Sequence, residues 1–291
     1  MTGVCNGDGV LAGVRTVFLR ELATIFRTPG YGVLAVGLLA VLGLLVAVGG
    51  GGATGFVPAV VDLLLPAELL VPVIATVLGY RALLSDVVSG ELAVIRTYPV
   101  SVAGYVVGIL LARLVALVAV VGLPFAAVGG YVWLTAAPDT GIFATHTGVD
   151  SPLLYVRFLT LSLLLGAAFL ATSMWVSAAA TSRRNAVALA ALAVIAGAFG
   201  GDLTLIRSLL TGADPSTVTN RLVFTPNGAF RGLVFETVIG VSFAQEQGVT
   251  NVGRAVGSLV GWTVLGSLAA TATLAVRHRV STAIERVRYG T

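Results

Sequence analysis

Lysine is absent from this chain: all 17 basic residues are arginine. A phosphate-gripping P-loop ends in lysine, so this sequence contains no nucleotide site of that kind. Schiff-base and Ser-Lys chemistry fall with it, because both need an amine that can lose its proton. Cysteine is nearly absent too. Cys5 stands alone, which excludes an intrachain disulfide and any paired-cysteine metal or redox site. Two histidines, His146 and His278, and Met174 as the only internal methionine leave too few ligands for a copper or zinc site within one chain. There is no HExxH, no GxSxG elbow and no close Ser/His/Asp grouping, so the sequence offers no catalytic residue, metal ligand or cofactor site of its own.

Charge is scarce as well. Charged residues make up 10% of the 291 positions, against about 25% in soluble domains, while 57% are apolar and mean hydropathy is +1.00. Such a chain belongs in a bilayer, and at roughly 20 residues per crossing it has room for five to seven spans and no sizeable soluble domain. Net charge is +4 and the pI is near 9.6. The arginines are scattered between apolar runs without interleaved aromatics, which fits membrane topology and gives no sign of a nucleic-acid partner.

Leu11 to Arg27 places Leu11, Val14, Phe18, Leu22 and Ile25 at helical spacing with Arg15, Arg20 and Glu21 between them, predicting an amphipathic interfacial helix. Thr28-Pro29-Gly30 ends it, and Tyr31 to Val48 is an uncharged first span. Gly49 to Phe56 reads as a flexible turn, its match to GxGxxG having neither a strand nor a βαβ unit around it. Span two runs from Val61 to Leu83, with Asp62, Pro66, Glu68 and Pro72 in a bent half that faces water or protein. Span three is Val102 to Phe125 with Arg113 in its middle, and span four lies within Leu153 to Ala180. Ser182-Arg183-Arg184-Asn185 is a tight turn before span five, Ala186 to Gly201. The more polar stretch from Arg207 to Arg254 holds amphipathic pieces such as Phe230 to Phe243, read as short helices lying at the surface or re-entering it. Span six is Ala255 to Val276, followed by a basic tail from Arg277 to Thr291.

Six spans put both termini on one side. The arginine count assigns that side to the cytoplasm, with Arg183 and Arg184 on its second turn. Three features stand out as candidate sites. Asp86, Glu91 and Arg96 put both signs of charge on a short segment between spans two and three, ended by Pro99, which suits docking to a soluble partner or simple solvation. Arg113 is an intramembrane charge, read either as a gating charge or as a side chain that snorkels or pairs with an acid such as Asp86 or Asp202. Gly253, Gly257 and Gly261, and likewise Gly104 and Gly108, have the spacing of close helix contacts, within one subunit or between two.

The stretch Gly79 to Arg113 resembles the ABC-2 transporter permeases, and is most similar to their NosY-like branch. Asp86, Gly90, Leu92, Pro99, Ser101, Gly108 and Arg113 match the family pattern of an acidic cluster, Gly-Thr-Leu, Pro-[Leu/Val]-Ser and a basic residue in an aliphatic helix. Val87, Val88, Glu91 and Ile109 depart from it. The N-terminal helix resembles the family's elbow helix, and Thr225-Pro226-Asn227-Gly228-Ala229-Phe230-Arg231 resembles its Asn-Pro-x-x-x-Phe/Tyr-Arg.

The resemblance implies an all-α integral membrane fold over residues 1–291 as one ABC-2 type transmembrane domain, with six transmembrane helices, an elbow helix and short helices between spans five and six. It also implies the permease subunit of an exporter-like ABC transporter, multi-pass in the cell membrane. The permeases pair, most simply as a homodimer. The ATP and Mg sit on separate P-loop ATPase subunits, which dock on the segment between spans two and three. Two other classes stay open: a membrane-embedded enzyme acting on lipid through the acids near span two, and a non-transporting scaffold.

Overall fold

The computed structural model describes residues 7–89, 100–136, 150–212, 221–242 and 250–289. It is helical, with no strand among the described residues. Helix α1 covers Gly7–Arg27, α2 Pro29–Gly49, α3 Gly51–Thr54, α4 Phe56–Gly79, α5 Leu84–Val88, α6 Val102–Leu117 and α7 Leu123–Thr135. Then come α8 Pro152–Ala179, α9 Arg183–Leu210, α10 Pro226–Val234, α11 Gly240–Ser242 and α12 Val252–Tyr289. Six stretches are long and apolar enough to cross a membrane: Pro29–Gly49, Phe56–Val88, Val102–Thr135, Pro152–Ala179, Arg183–Ser208 and Val252–Arg277. The chain is a multi-pass membrane-embedded protein. Spans two, three and four form the buried centre, and spans one, five and six leave most of their surface outward.

The spans match those read from the apolar runs, but the helices run further. Span three continues through Thr135 by way of a π-helical turn, Val118–Gly122, immediately before Pro124. Proline has no N–H and its ring collides with the carbonyl four residues back, so the wider turn lets the helix pass it unbroken. Span five extends to Leu210, and the stretch read as a basic tail continues α12 to Tyr289. The glycine-rich turn holds α3 instead of flexible coil. Gly50 takes a left-handed φ of 78° between the two helices, and Asp62 accepts the Gly51 N–H at 3.1 Å.

Span three is the rod on which the first two helices are mounted in series. Val14 and Val17 of α1 sit over Gly104 and Gly108, where an added methyl group would come within 3.3 Å of Val14 and 2.9 Å of Val17. That is the close approach small residues permit, and it lies within one chain. Span one then takes over, running in the same direction from a Tyr31 contact with Arg113 to the hydrogen bond that Thr135 donates to the Gly52 carbonyl at 3.2 Å. On the other flank, span six crosses span four where Gly266 rests on the backbone of Ala171 and Thr172. Gly257 and Gly261 have no atom of the described residues within 4 Å of an added Cβ.

The loop-side half of the centre is filled by aromatics. Phe158 packs on Phe125, Tyr155 and Phe230 with ring centres 5.8 to 6.2 Å apart, and Tyr155 also meets Phe56. The Tyr155 hydroxyl donates to the Phe125 carbonyl at 2.8 Å, which satisfies the one polar atom in that cluster. Asp150 accepts the Phe56 and Val57 N–H groups and so closes the start of span two.

Candidate functional site

Two clusters of buried charge divide the bundle. The first lies at the end where α1, α5 and the start of span three meet. Asp86 is 8% exposed, and its Oδ2 accepts from Arg20 at 2.6 Å and from the Tyr105 hydroxyl at 2.5 Å. The side chain proposed from sequence as a docking group therefore faces inward and fastens α5 to α1 and span three. Burial pulls the Arg20 pKa down, but the hydrogen bond and charge of Asp86 outweigh it and leave the guanidinium above its ordinary value. Glu91, Arg96, Gly90, Leu92 and Pro99 lie outside the described residues.

Arg113 belongs to the same end. Its guanidinium donates to Glu21 and to the Tyr31 hydroxyl, and it lies 5.7 Å from the Tyr31 ring centre. Glu21 is thus its partner, and the acids considered from sequence, Asp86 and Asp202, are engaged elsewhere. Tyr31 is near the first residue of span one, so Arg113 sits level with that helix's beginning. Span three begins well before span one does, and this is why sequence counting put the arginine at mid-span. Its buried Nε has no partner among the described residues.

The second cluster is built around Arg231. Thr225 caps α10 by accepting the Gly228 N–H, Pro226 occupies the first turn, and Asn227 and Arg231 then stand one turn apart on one face. Arg231 meets Glu68 through Nε at 2.7 Å and Nη2 at 2.5 Å, a two-pronged contact, and Asp202 through Nη1 at 2.9 Å. The Glu68 hydrogen bonds hold the Arg231 pKa above its ordinary value despite burial. Asn227 Nδ2 donates to the backbone carbonyls of Glu68 and Ala198, while its buried Oδ1 has no partner among the described residues.

These contacts show that residues 221–234 re-enter the bundle. Glu68 is about 18 Å along span two from Phe56, and Ala198 about 18 Å back from the end of α9 at a rise of 1.5 Å per residue. Trp262, about 15 Å along α12 from Val252, donates its indole N–H to the Phe224 carbonyl at 2.9 Å. The three helices agree that Phe224 to Asn227 lies well along their length, with Pro226 and Asn227 buried and Phe224 exposed at the outer side. Non-helical backbone is stable there because its groups are satisfied by protein, including the turn in which Thr225 N–H donates to the Leu222 carbonyl. Of the two readings open in the sequence, surface or re-entry, the structure selects re-entry for α10.

Asp62 and Glu68, the two acids in the bent half of span two, are employed separately, one at the Gly51 N–H and the other at Arg231. Arg183 and Arg184 are exposed at the turn between spans four and five. The neighbouring end of span four is closed by Arg277, which donates to the Ala179 and Ala180 carbonyls at 2.9 Å. Met174 is buried in the core beside Tyr105 and Ala178. Among the described residues no group of three or more His, Cys, Asp or Glu could hold a metal ion; His146 lies outside them. Sequence reasoning missed Arg20, Glu21 and Tyr105. The i, i+4 pair Asn227 and Arg231 was visible in the Thr-Pro-Asn-Gly-Ala-Phe-Arg motif, but its partners were not. No family model and no curated protein sequence matches the chain.

Proposed function

We propose that this chain is the permease subunit of an ATP-driven transporter of the ABC-2 type. It forms the membrane path, and separate P-loop ATPase subunits bind and hydrolyse ATP with Mg. The observation that supports this reading most directly is the fastening of α5. Asp86 ties the stem of the segment between spans two and three to Arg20 of α1 and Tyr105 of span three. A partner that pushed on residues 90–99 would act on the bundle through a fixed point. Docking drives transport only if its geometry differs between nucleotide states, since a ligand shifts an equilibrium only by its differential affinity.

In this proposal Glu91 and Arg96 meet the ATPase and Asp86 anchors them. Helix α1 is the elbow at the membrane surface, the termini are cytoplasmic, the membrane is the cell membrane and two permeases pair. The test is copurification with a P-loop ATPase, with ATP turnover measured in the assembled complex. Exchanging the two docking charges, Glu91→Arg with Arg96→Glu, is expected to weaken the association about tenfold or more, the effect of roughly 1.4 kcal/mol of interfacial charge pairing. Unchanged association and turnover would sink the assignment, as would catalytic activity of the purified chain on lipid with no ATPase present.

A further inference from the structure

Near the loop-side end of span five the structure contains a cleft of about 500 Å³, lined by Leu203, Thr204, Arg207, Ser208, Thr211 and Arg221. That volume falls in the usual range for small-ligand sites. Two guanidiniums share it, and among the described residues neither meets a carboxylate or a carbonyl. The nearest acid along the helix, Asp202, is already held by Arg231. Ser208 is 8% exposed, and its hydroxyl has no hydrogen-bond partner among the described residues. Thr204 and Thr211 use their hydroxyl hydrogens on backbone carbonyls, leaving oxygen lone pairs and the Ser208 O–H at the wall.

Two arginines without an acid among the described residues, beside a serine hydroxyl likewise uncommitted there, make a site for a tetrahedral oxyanion, because forked N–H groups match phosphate oxygens. The position selects its source. Arg207 is about 5 Å from the end of α9 by helical rise, the depth of the headgroup layer. Leu203, Ile206 and Leu210 on the same helix are exposed, so acyl chains have an apolar wall to lie against. We propose that this cleft binds the phosphate of an anionic phospholipid in the leaflet at the loop side, fixing span five and the re-entrant segment to the lipid. The proposal is independent of the transporter reading.

The test uses the full chain in phosphatidylcholine nanodiscs containing spin-labelled phosphatidylglycerol. Arg207→Gln with Arg221→Gln is expected to lower the affinity for the labelled lipid about thirtyfold, from the attraction that each basic side chain has for an anionic surface. Ser208→Ala lowers it less. Arg254→Gln, which removes one charge from the same end of the bundle, leaves it unchanged. Inorganic phosphate added to the chain in neutral detergent is expected to leave its thermal midpoint unmoved. Three results would overturn the proposal: equal lipid retention by the double variant, protection by inorganic phosphate without lipid retention, or a fall of several degrees in the double variant's midpoint in phosphatidylcholine alone. The last would mean that the guanidiniums serve the fold.

Discussion

Replacing Arg231 should cost more than replacing its partner Glu68, and the reason is exposure. The Glu68 side chain is 5% exposed, against 33% for Arg231 and 38% for Asp202. Arg231→Met leaves the Glu68 carboxylate buried with no cation, and breaking a buried pair in that way costs about 3 to 5 kcal/mol. Glu68→Leu removes the same hydrogen bonds but leaves no stranded charge, because Arg231 keeps Asp202 and is part-solvated. Its cost is about 1 to 2 kcal/mol after the allowance that exposed pairs require. The difference of about 2 kcal/mol corresponds to about 4 to 8 °C in thermal midpoint at 2 to 4 °C per kcal/mol. Thermal unfolding of both variants and of the double variant in one detergent measures it, and the double variant should resemble Glu68→Leu. If Glu68→Leu proved as damaging as Arg231→Met, the argument from burial would be wrong.

Gly266→Leu should destabilise by about 1 to 3 kcal/mol, since even a methyl group there would sit 2.7 Å from the Ala171 backbone carbon. Gly257→Ala and Gly261→Ala should leave the midpoint of the single chain unchanged. Asn227→Leu strips a donor from two buried carbonyls and should cost about 1 to 3 kcal/mol, with faster hydrogen exchange of the amides in 222–227 as the local readout. Asp150→Ala exposes two N–H groups at the start of span two and should cost about 1 kcal/mol, measured by the same midpoint. Tyr105→Phe removes one bond to Asp86 and should cost about 1 kcal/mol. If α5 transmits force as proposed, it should also lower ATP turnover in the complex more than it lowers association.

The six crossings were legible because long apolar runs with few charges leave few alternatives to a spanning helix. The pairing of charges was not. Periodicity says which face of a helix Glu21 or Arg113 occupies, but not which helix stands opposite, and Glu21 on an amphipathic segment looks like any water-facing acid. The same ambiguity affected Phe230 to Phe243, where a polar stripe suits water or a buried Glu68 equally. The glycine spacings of span three and span six are indistinguishable in sequence, yet among the described residues Gly104 and Gly108 meet a neighbouring helix and Gly257 and Gly261 do not. Span three was read as ending at Phe125, whereas the helix passes Pro124 by a π-helical turn and continues to Thr135.

Because Thr28 alone separates α1 from span one, and both lie against one continuous rod, the foot of span one cannot stay still if the near half of span three tips. Whatever acts at Tyr105 is delivered at Tyr31 by two routes, through α1 and its single linking residue and through the Arg113 guanidinium on the Tyr31 hydroxyl, so the outermost crossing should follow the centre of the bundle.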